Sequence, residues 1–147
     1  MAILIQNNQK NVLIKEAILR RKAHATLGAL ASPDAELSIV IVDDPNISDL
    51  NETFLGHQGP TNVISFPMQE GEFAGINPNI LGDVVISADT ALREAENAEI
   101  SFDERLDQLL IHGILHLFGF DHIDNMEQEA RMEKKSQELL ELTARIA

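Results

Sequence analysis

The sequence predicts an α/β (α+β) domain: a single mixed β-sheet of about four strands, packed with about five helices. Up to Ser87, short apolar runs rich in Val and Ile alternate with segments of helical period. After Ser87 the patterns are helical. The 147 residues, 44% of them hydrophobic, suit one domain, residues 1–147, with a sizeable core. Strands that alternate with helices are typical of a sheet covered by helices.

Four apolar runs are predicted to be strands. Each is short, rich in β-branched residues and bounded by turn residues. In chain order they are residues 3–5, residues 36–44, residues 63–66 ending at Pro67, and residues 81–87. Between the last two runs, residues 69–80 are expected to form a loop or a loose hairpin.

Five segments have helical patterns, and their ends are predicted from capping residues. Ser101 and Glu104 match a capping box at the start of the fourth helix, and Gly119 suits its end. The second half of that helix is apolar nearly all round, which implies burial. The segments are a helix between Asn11 and Gly28, a short helix capped by Asn46 or Ser48 that reaches Phe54, an exposed helix 88–98, the helix between Ser101 and Gly119, and a last helix from Asp124 with Met126, Ala130, Met132, Leu139, Leu142 and Ile146 as apolar contacts.

The net charge of −13, from 24 acidic and 11 basic residues, argues against tight, nonspecific binding of nucleic acid. Proteins that grip phosphates broadly usually do so with many Lys and Arg residues. A small local basic cleft remains compatible with this charge. Arg20, Arg21 and Lys22 form the densest basic cluster. We interpret it as a solvated helix face or, alternatively, as a contact surface for RNA or a ribosomal partner.

The residues that are absent also restrict the function. There is no cysteine, so disulfides and thiolate metal sites are excluded, and any metal must bind His, Asp or Glu. No apolar run approaches the ~20 residues that cross a bilayer, so no membrane association is expected. The short apolar start lacks a preceding basic residue and does not fit a signal peptide. These features predict a cytoplasmic protein.

Three of the five histidines fall within eleven residues and predict a metal site. His112 and His116 are four apart, so a helix places both imidazoles on one face, one turn apart. Gly119 lets the chain turn back and bring His122 to the same point. Three imidazoles suit one Zn²⁺ per chain and leave one position open for the bound water that would attack a substrate. Copper, nickel and iron also accept imidazole, and a lone histidine on an apolar helix is more often a satisfied core residue.

The histidine spacing matches the zincin pattern H-E-x-x-H-x-x-G-x-x-H except at its second position. Gly113 stands there in place of the Glu that metalloproteases use as general base. This departure argues against peptidase chemistry. We also expect Gly113 to free space beside the metal for a bulkier substrate.

Three separated motifs occur in one order: residues 59–67 (GPTNVISFP), residues 81–85 (LGDVV) and the histidine segment ending in residues 119–122 (GFDH). In these the sequence resembles the YbeY family of bacterial endoribonucleases and rRNA maturation factors. The resemblance implies a zinc-dependent, single-strand-specific endoribonuclease that acts in 3′-end maturation of small-subunit rRNA and in ribosome quality control. It places the zinc ligands at His112, His116 and His122. It also implies single-stranded rRNA, small-subunit ribosomal proteins and an assembly GTPase as partners.

Six further residues are candidates for the surroundings of the metal. The resemblance places Thr61, Asn62 and Ser65 beside a substrate cleft, while ordinary turn and strand-edge hydrogen bonds are the plainer interpretation. Asp83, after Gly82, is a candidate for lining the same cleft, or a turn carboxylate. Asp121 is a candidate acceptor for an imidazole N–H of a ligand, or a loop cap. The sixth candidate is His57, either a donor to phosphate or a plain loop histidine.

Leu55 departs from the family pattern, which commonly has Arg just before the glycine at this point. An Arg there would clamp phosphate oxygens and stabilise developing charge, which Leu cannot do. Together with the net charge, Leu55 favours an alternative function: a ribosome-associated assembly factor with a structural or weakly active metal site. No general base is evident. The sequence therefore leaves open whether a zinc-bound hydroxide or the RNA's own 2′-hydroxyl attacks the phosphorus.

Overall fold

The computed structural model describes residues 3–68, 79–120 and 126–146. Its four-stranded sheet has the order β1-β2-β4-β3. Strands β1 and β2 and strands β2 and β4 pair in parallel, whereas the edge strand β3 runs antiparallel to β4. The strands are β1 (Ile3–Asn7), β2 (Glu36–Val42), β3 (Val63–Pro67) and β4 (Ile80–Ser87). The predicted single mixed sheet is confirmed.

Five helices lie in the described part of the chain, as predicted. The first two alternate with strands, and the other three follow the last strand without interruption. They are α1 (Glu16–Ala29), α2 (Asp44–Leu55), α3 (Ala88–Ala98), α4 (Phe102–Leu117) and α5 (Met126–Thr143). None of the helices in the described ranges is both long and apolar enough to cross a membrane.

The two faces of the sheet carry different cores. On one face, here called the α4 face, buried strand residues such as Ile39, Val84 and Ile86 pack with α1, α3 and α4. On the opposite face, the α2 face, Val85 and Ile64 pack with residues of α2. A third cluster joins the outer side of α4 to α5. Because side chains alternate along a strand, consecutive residues of β3 and β4 point to opposite faces of the sheet.

The predicted limits of α1 are wrong at both ends. The helix begins at Glu16 rather than after Asn11, because the Gln9 side-chain carbonyl accepts the backbone N–H groups of Asn11 and Val12 at 2.9 Å each and holds them in a turn. Gly28 lies inside the helix, which ends at Ala29. The reversal occurs at Ala31, whose φ is 60°.

Other predicted limits also shift. Asp43 caps α2 by accepting the Asn46 N–H, so neither Asn46 nor Ser48 is the cap. Consequently β2 ends at Val42 instead of residue 44. The expectation of an exposed α3 is wrong for one side of the helix, where Ala88, Ala91 and Ala95 are buried. In α5, Met132 and Leu139 are buried as predicted, whereas Met126 and Ala130 are exposed.

Lys22 takes no part in the solvated face or contact surface that was predicted for the basic cluster. Its side chain is 10% exposed, and its Nζ lies 2.9 and 3.0 Å from the two carboxylate oxygens of Asp107 on α4. Arg21 remains exposed. Lys22 therefore joins two helices instead of presenting charge to a partner.

Candidate metal centre

His112 and His116 lie one turn apart on α4 and point their rings at each other. Their Nε2 atoms are 2.9 Å apart, and their ring centroids are 4.4 Å apart at an angle of 75°. Both residues are half-buried. The helix is positioned by the predicted cap, in which the Ser101 hydroxyl accepts the Glu104 N–H at 3.1 Å, and by buried leucines and isoleucines on its other sides. The structure therefore brings two of the three predicted ligands together.

The turn after α4 has the form that the sequence predicts. Gly119 adopts a φ of +90°, in the left-handed region that glycine enters without steric cost. The Phe120 N–H donates to the Leu115 carbonyl at 3.0 Å, and the Gly119 N–H donates to the His116 carbonyl at 3.0 Å. These two bonds form a Schellman motif. The chain thus leaves the helix after Leu117, one residue beyond His116. Asp121 and His122 lie outside the described residues.

Gly113 faces the sheet and not the space beside the histidines. A Cβ at this position would lie 2.6 Å from Cγ1 of Val84 on β4 and 3.3 Å from the Ser65 hydroxyl oxygen. The expectation that Gly113 frees space for substrate is therefore wrong. Instead, the glycine allows α4 to approach β4 closely, and no larger residue fits here, including the Glu of metalloproteases.

Ser65 lies on the α4 face of β3. Its hydroxyl donates to the Gly113 carbonyl at 2.9 Å, which ties the edge strand to the turn of α4 between the two histidines. Thr61 and Asn62 precede β3 and are half-buried. The Asn62 carbonyl accepts the Ser87 N–H at 3.0 Å. The structure thus places Ser65 next to the histidine turn and Asn62 at the end of the neighbouring strand.

A row of polar side chains, which sequence reasoning missed, connects Asn62 to α4. The Asn62 amide donates to the Glu94 carboxylate of α3 at 3.2 and 3.3 Å. Arg105 of α4 donates to the same carboxylate through Nε at 3.1 Å and Nη2 at 2.9 Å. Its Nη1 donates to Gln108 at 2.6 Å. The spacing of residues 105, 108, 112 and 116, which share one stripe of a helix, could have revealed the part of the row that lies on α4.

Asp83 is not brought together with the histidines. It is the register partner of Phe66 on β3 and of Ser38 on β2, and Phe66 packs with the core of the α2 face. Burial raises the pKa of the Asp83 carboxyl, and a hydrogen bond from Ser38 partly offsets this rise. Asp83 therefore lies on the face of the sheet opposite to α4.

His57 and Leu55 lie at the end of α2, which packs on the α2 face. Leu55 is the last residue of the helix and is 48% exposed. Gly56 follows in a left-handed conformation, and the exposed His57 donates its backbone N–H to the Asn51 carbonyl at 3.2 Å. The neighbouring Phe54 contacts Phe66 edge-to-face, with centroids 5.6 Å apart. An exposed apolar surface thus occupies the position where the resemblance predicts Arg.

A family model described as endoribonuclease YbeY matches residues 4–144. This range includes both histidines of the pair and the whole polar row. The chain belongs to the YbeY family. A Geobacter sulfurreducens protein named endoribonuclease YbeY is 52% identical over 143 residues, which cover 97% of this chain and 95% of the relative. A protein of the same name from Syntrophus aciditrophicus is 47% identical over 140 residues, which cover 95% of this chain and 88% of the relative.

The fold also has a counterpart among solved structures. A Thermotoga maritima protein determined in solution superposes with a TM-score of 0.69 and covers 96% of this chain and 88% of its own, at 24% identity. At that identity the likeness concerns the fold alone. The predicted membership in the YbeY family and the predicted mixed sheet are both confirmed.

Proposed function

We propose that this chain is a zinc-dependent endoribonuclease that cuts single-stranded RNA. The support for RNA cleavage is its membership in the YbeY family, in which full-length relatives at 47 and 52% identity carry the name endoribonuclease. The support for zinc is the pairing of His112 and His116, and this pairing is the observation on which the proposal depends.

The histidine pair fits a zinc ion in chemistry and in spacing. Imidazole nitrogen is among the preferred ligands of zinc, at ~2.0–2.1 Å, and two such ligands at a tetrahedral angle are roughly 3.3 Å apart. The two Nε2 atoms here are 2.9 Å apart, so a small rotation of either ring would seat both. His122 is proposed as the third ligand because it follows the Schellman turn at the spacing of the zincin pattern.

The bound zinc would supply a Lewis acid that polarises a phosphate oxygen and lowers the pKa of water. The chain's own residues hold the geometry. Ser65 fixes the Gly113 carbonyl, and the contact between Gly113 and Val84 sets the distance between α4 and the sheet. Both contacts act on the turn that separates His112 from His116, so they orient the two imidazoles before substrate binds.

We also propose the biological setting that the resemblance implies. The substrate would be single-stranded rRNA in the cytoplasm, during 3′-end maturation of the small subunit and ribosome quality control. Small-subunit ribosomal proteins and an assembly GTPase would be partners. With a net charge of −13, such a chain would depend on a ribosomal context for much of its affinity for RNA.

An assembly factor with a structural or weakly active metal site is the second candidate. The observation that favours it is Leu55, an exposed apolar residue where a phosphate clamp would be expected. In this case ribosome association would be independent of the histidines, whereas RNA cleavage by the purified protein would be absent.

The test compares RNA cleavage by the zinc-loaded wild type, His116→Ala and His24→Ala, all purified identically. His24 is exposed on α1 and serves as a matched control for loss of an imidazole. We expect His116→Ala to lose cleavage of a single-stranded oligonucleotide by at least about 100-fold, while His24→Ala cuts like the wild type. Equal cleavage by all three, or by none, would leave the assembly factor as the better description.

A further inference from the structure

Lys and Arg are scarce in the part of the chain that forms the candidate site. Between Lys22 and Arg131 the sequence contains two of them, Arg93 and Arg105. An RNA-cleaving protein must still bring a negatively charged backbone to its metal, and cationic side chains provide most of that affinity. If a Lys or Arg of the α3–α4 region contacts a phosphate, it is therefore one of these two arginines.

Arg105 lies on the stripe of α4 that carries the histidines. Residues 105, 112 and 116 are spaced by seven and four, so they project from one side of the helix. Seven residues correspond to roughly 10 Å along the helix axis. The guanidinium is turned toward the histidines, because its Nη1 donates to Gln108, one turn before His112. A strand bound at the histidine pair and running along α4 would reach this guanidinium.

The contacts of Arg105 fix its position while leaving it accessible. Two of its nitrogens bind the Glu94 carboxylate, and Glu94 is itself held by Asn62. Three of its five N–H donors are used toward described residues, which leaves two for another acceptor. Its side chain is 24% exposed. An arginine held in this way loses little side-chain entropy when it binds a phosphate.

Arg93 has a different environment. Its Nη1 donates at 2.7 Å to Asp44 at the start of α2. The same carboxylate accepts the hydroxyls of Ser87 and Thr90 at 2.7 and 2.6 Å. Arg93 therefore belongs to a junction between α2 and α3 and not to the polar row. It provides a matched control, since it is also an arginine paired with a carboxylate.

We propose that Arg105 binds a backbone phosphate of single-stranded RNA adjacent to the phosphate at the histidine pair. In this arrangement Glu94 and Gln108 orient the guanidinium, and Asn62 orients Glu94. This assignment rests on the proposed RNA-cleaving function and specifies how that site holds its substrate. A purely structural clamp between α3 and α4 is the competing role of the same ion pair.

Binding of a cleavage-resistant probe tests the assignment. The probe is a fluorescein-labelled 2′-O-methyl oligouridylate, and its affinity is measured by fluorescence anisotropy from about 50 to 200 mM NaCl. The metal-loaded wild type is compared with Arg105→Gln, Arg105→Lys, Glu94→Gln and Arg93→Gln. We expect Arg105→Gln to weaken binding several-fold and to reduce the slope of log affinity against log salt by about 0.7. Arg105→Lys should keep most of the slope.

The Glu94→Gln variant distinguishes a phosphate contact by Arg105 from a structural clamp between α3 and α4. Glu94→Gln removes the negative charge beside Arg105 but keeps a side-chain oxygen that accepts from the guanidinium and orients it. If Arg105 contacts phosphate, the affinity should therefore stay unchanged or rise. Equal weakening by Glu94→Gln and Arg105→Gln would identify a structural clamp and overturn the proposal. Identical slopes for Arg105→Gln and Arg93→Gln would overturn it as well.

Probe binding tests the Arg105 assignment, and a separate cleavage measurement tests the proposed function. Should the wild type fail to bind the probe at about 50 mM NaCl, the Arg105 assignment is wrong. The endoribonuclease proposal is then judged by cleavage with the His116→Ala comparison. If the wild type cleaves RNA but Arg105→Gln binds the probe with the same salt slope as Arg93→Gln, only the Arg105 assignment is rejected.

Discussion

His112 and His116 define the candidate site because backbone geometry alone brings their imidazoles together. Residues four apart on a helix are neighbours on its surface, and the two Nε2 atoms are 2.9 Å apart. The surrounding residues restrict how the helix can move. Gly113, between the histidines, faces β4, and Ser65 holds its carbonyl. Small changes at Gly113 should therefore be transmitted to both rings.

Replacing Gly113 by Ala should destabilise the fold. The added Cβ would lie 2.6 Å from Val84 Cγ1, so α4 must move away from the sheet. Overpacking of this kind typically costs about 1–3 kcal/mol of unfolding free energy. Gly28→Ala is the matched control, because nothing lies within 4 Å of its added Cβ and the residue is helical. It should stabilise by about 0.5–1 kcal/mol. Urea unfolding of both variants measures this, and equal effects would refute close packing at Gly113.

Asp83 should make the fold less stable as pH rises from acid to neutral. Burial raises its pKa above the ordinary value of 3.8, so between these two values the native state binds more protons than the unfolded state. Stability therefore falls as pH increases through this window. Asp83→Asn removes this dependence. Its unfolding free energy relative to the wild type should increase between about pH 3 and pH 7 in urea titrations. A constant difference would show that the pKa of Asp83 is not raised in the native state.

The residue scale shows what the sequence could predict about the site. Spacing alone was sufficient for the histidine pair and for the Gly119 turn. It was not sufficient for Gly113 or Asp83, because their surroundings depend on which strand face each side chain meets. Arg105 and Glu94 were missed for a related reason: they are eleven residues apart on two helices whose crossing no local pattern reports.

At the scale of elements, a buried ion pair joins α1 to α4. The side chains of Lys22 and Asp107 are 10% and 9% exposed, and their closest approach is 2.9 Å. Burial raises the pKa of the Asp107 carboxyl, the charge of Lys22 opposes this rise, and Asp103 and Glu104 add to it. The pair therefore contributes to the docking of α1 on the helix that carries the histidines.

Lys22→Met should destabilise the protein by about 3–5 kcal/mol, because it leaves a buried carboxylate without its partner. Asp107→Leu should have a similar effect through the unpaired ammonium. The double variant Lys22→Met/Asp107→Leu should recover most of the loss, since both charges are then absent. A double-mutant cycle by urea unfolding measures the coupling. Additive losses would show that the two side chains do not interact.

Element order was predictable, whereas element limits were less so. β-branched runs and helical periods are local, and they predicted the four strands and five helices in the correct order. The start of α1 depends on the Gln9 side chain, which competes for backbone N–H groups that a helix would use. The strand order β1-β2-β4-β3 is a tertiary property and has no local signal.

At the scale of the whole molecule, recognition of RNA depends on the net charge and on the contacts that the fold positions. The net charge of −13 gives the surface little general attraction for RNA. Affinity must then come from a few fixed contacts, of which the histidine pair with its metal and Arg105 are the ones that we propose. The sheet supports both on one helix, so a single element aligns the metal with the neighbouring phosphate contact.

The central claim is that a zinc ion held by the histidine pair performs RNA cleavage. The most direct measurement is a zinc titration of the metal-free protein, with cleavage of a single-stranded oligonucleotide followed in the same samples. We expect activity to be absent without metal, to rise in proportion to added zinc and to stop rising at one equivalent per chain. Activity that is the same before and after chelation, or that His112→Ala retains in full, would contradict the account.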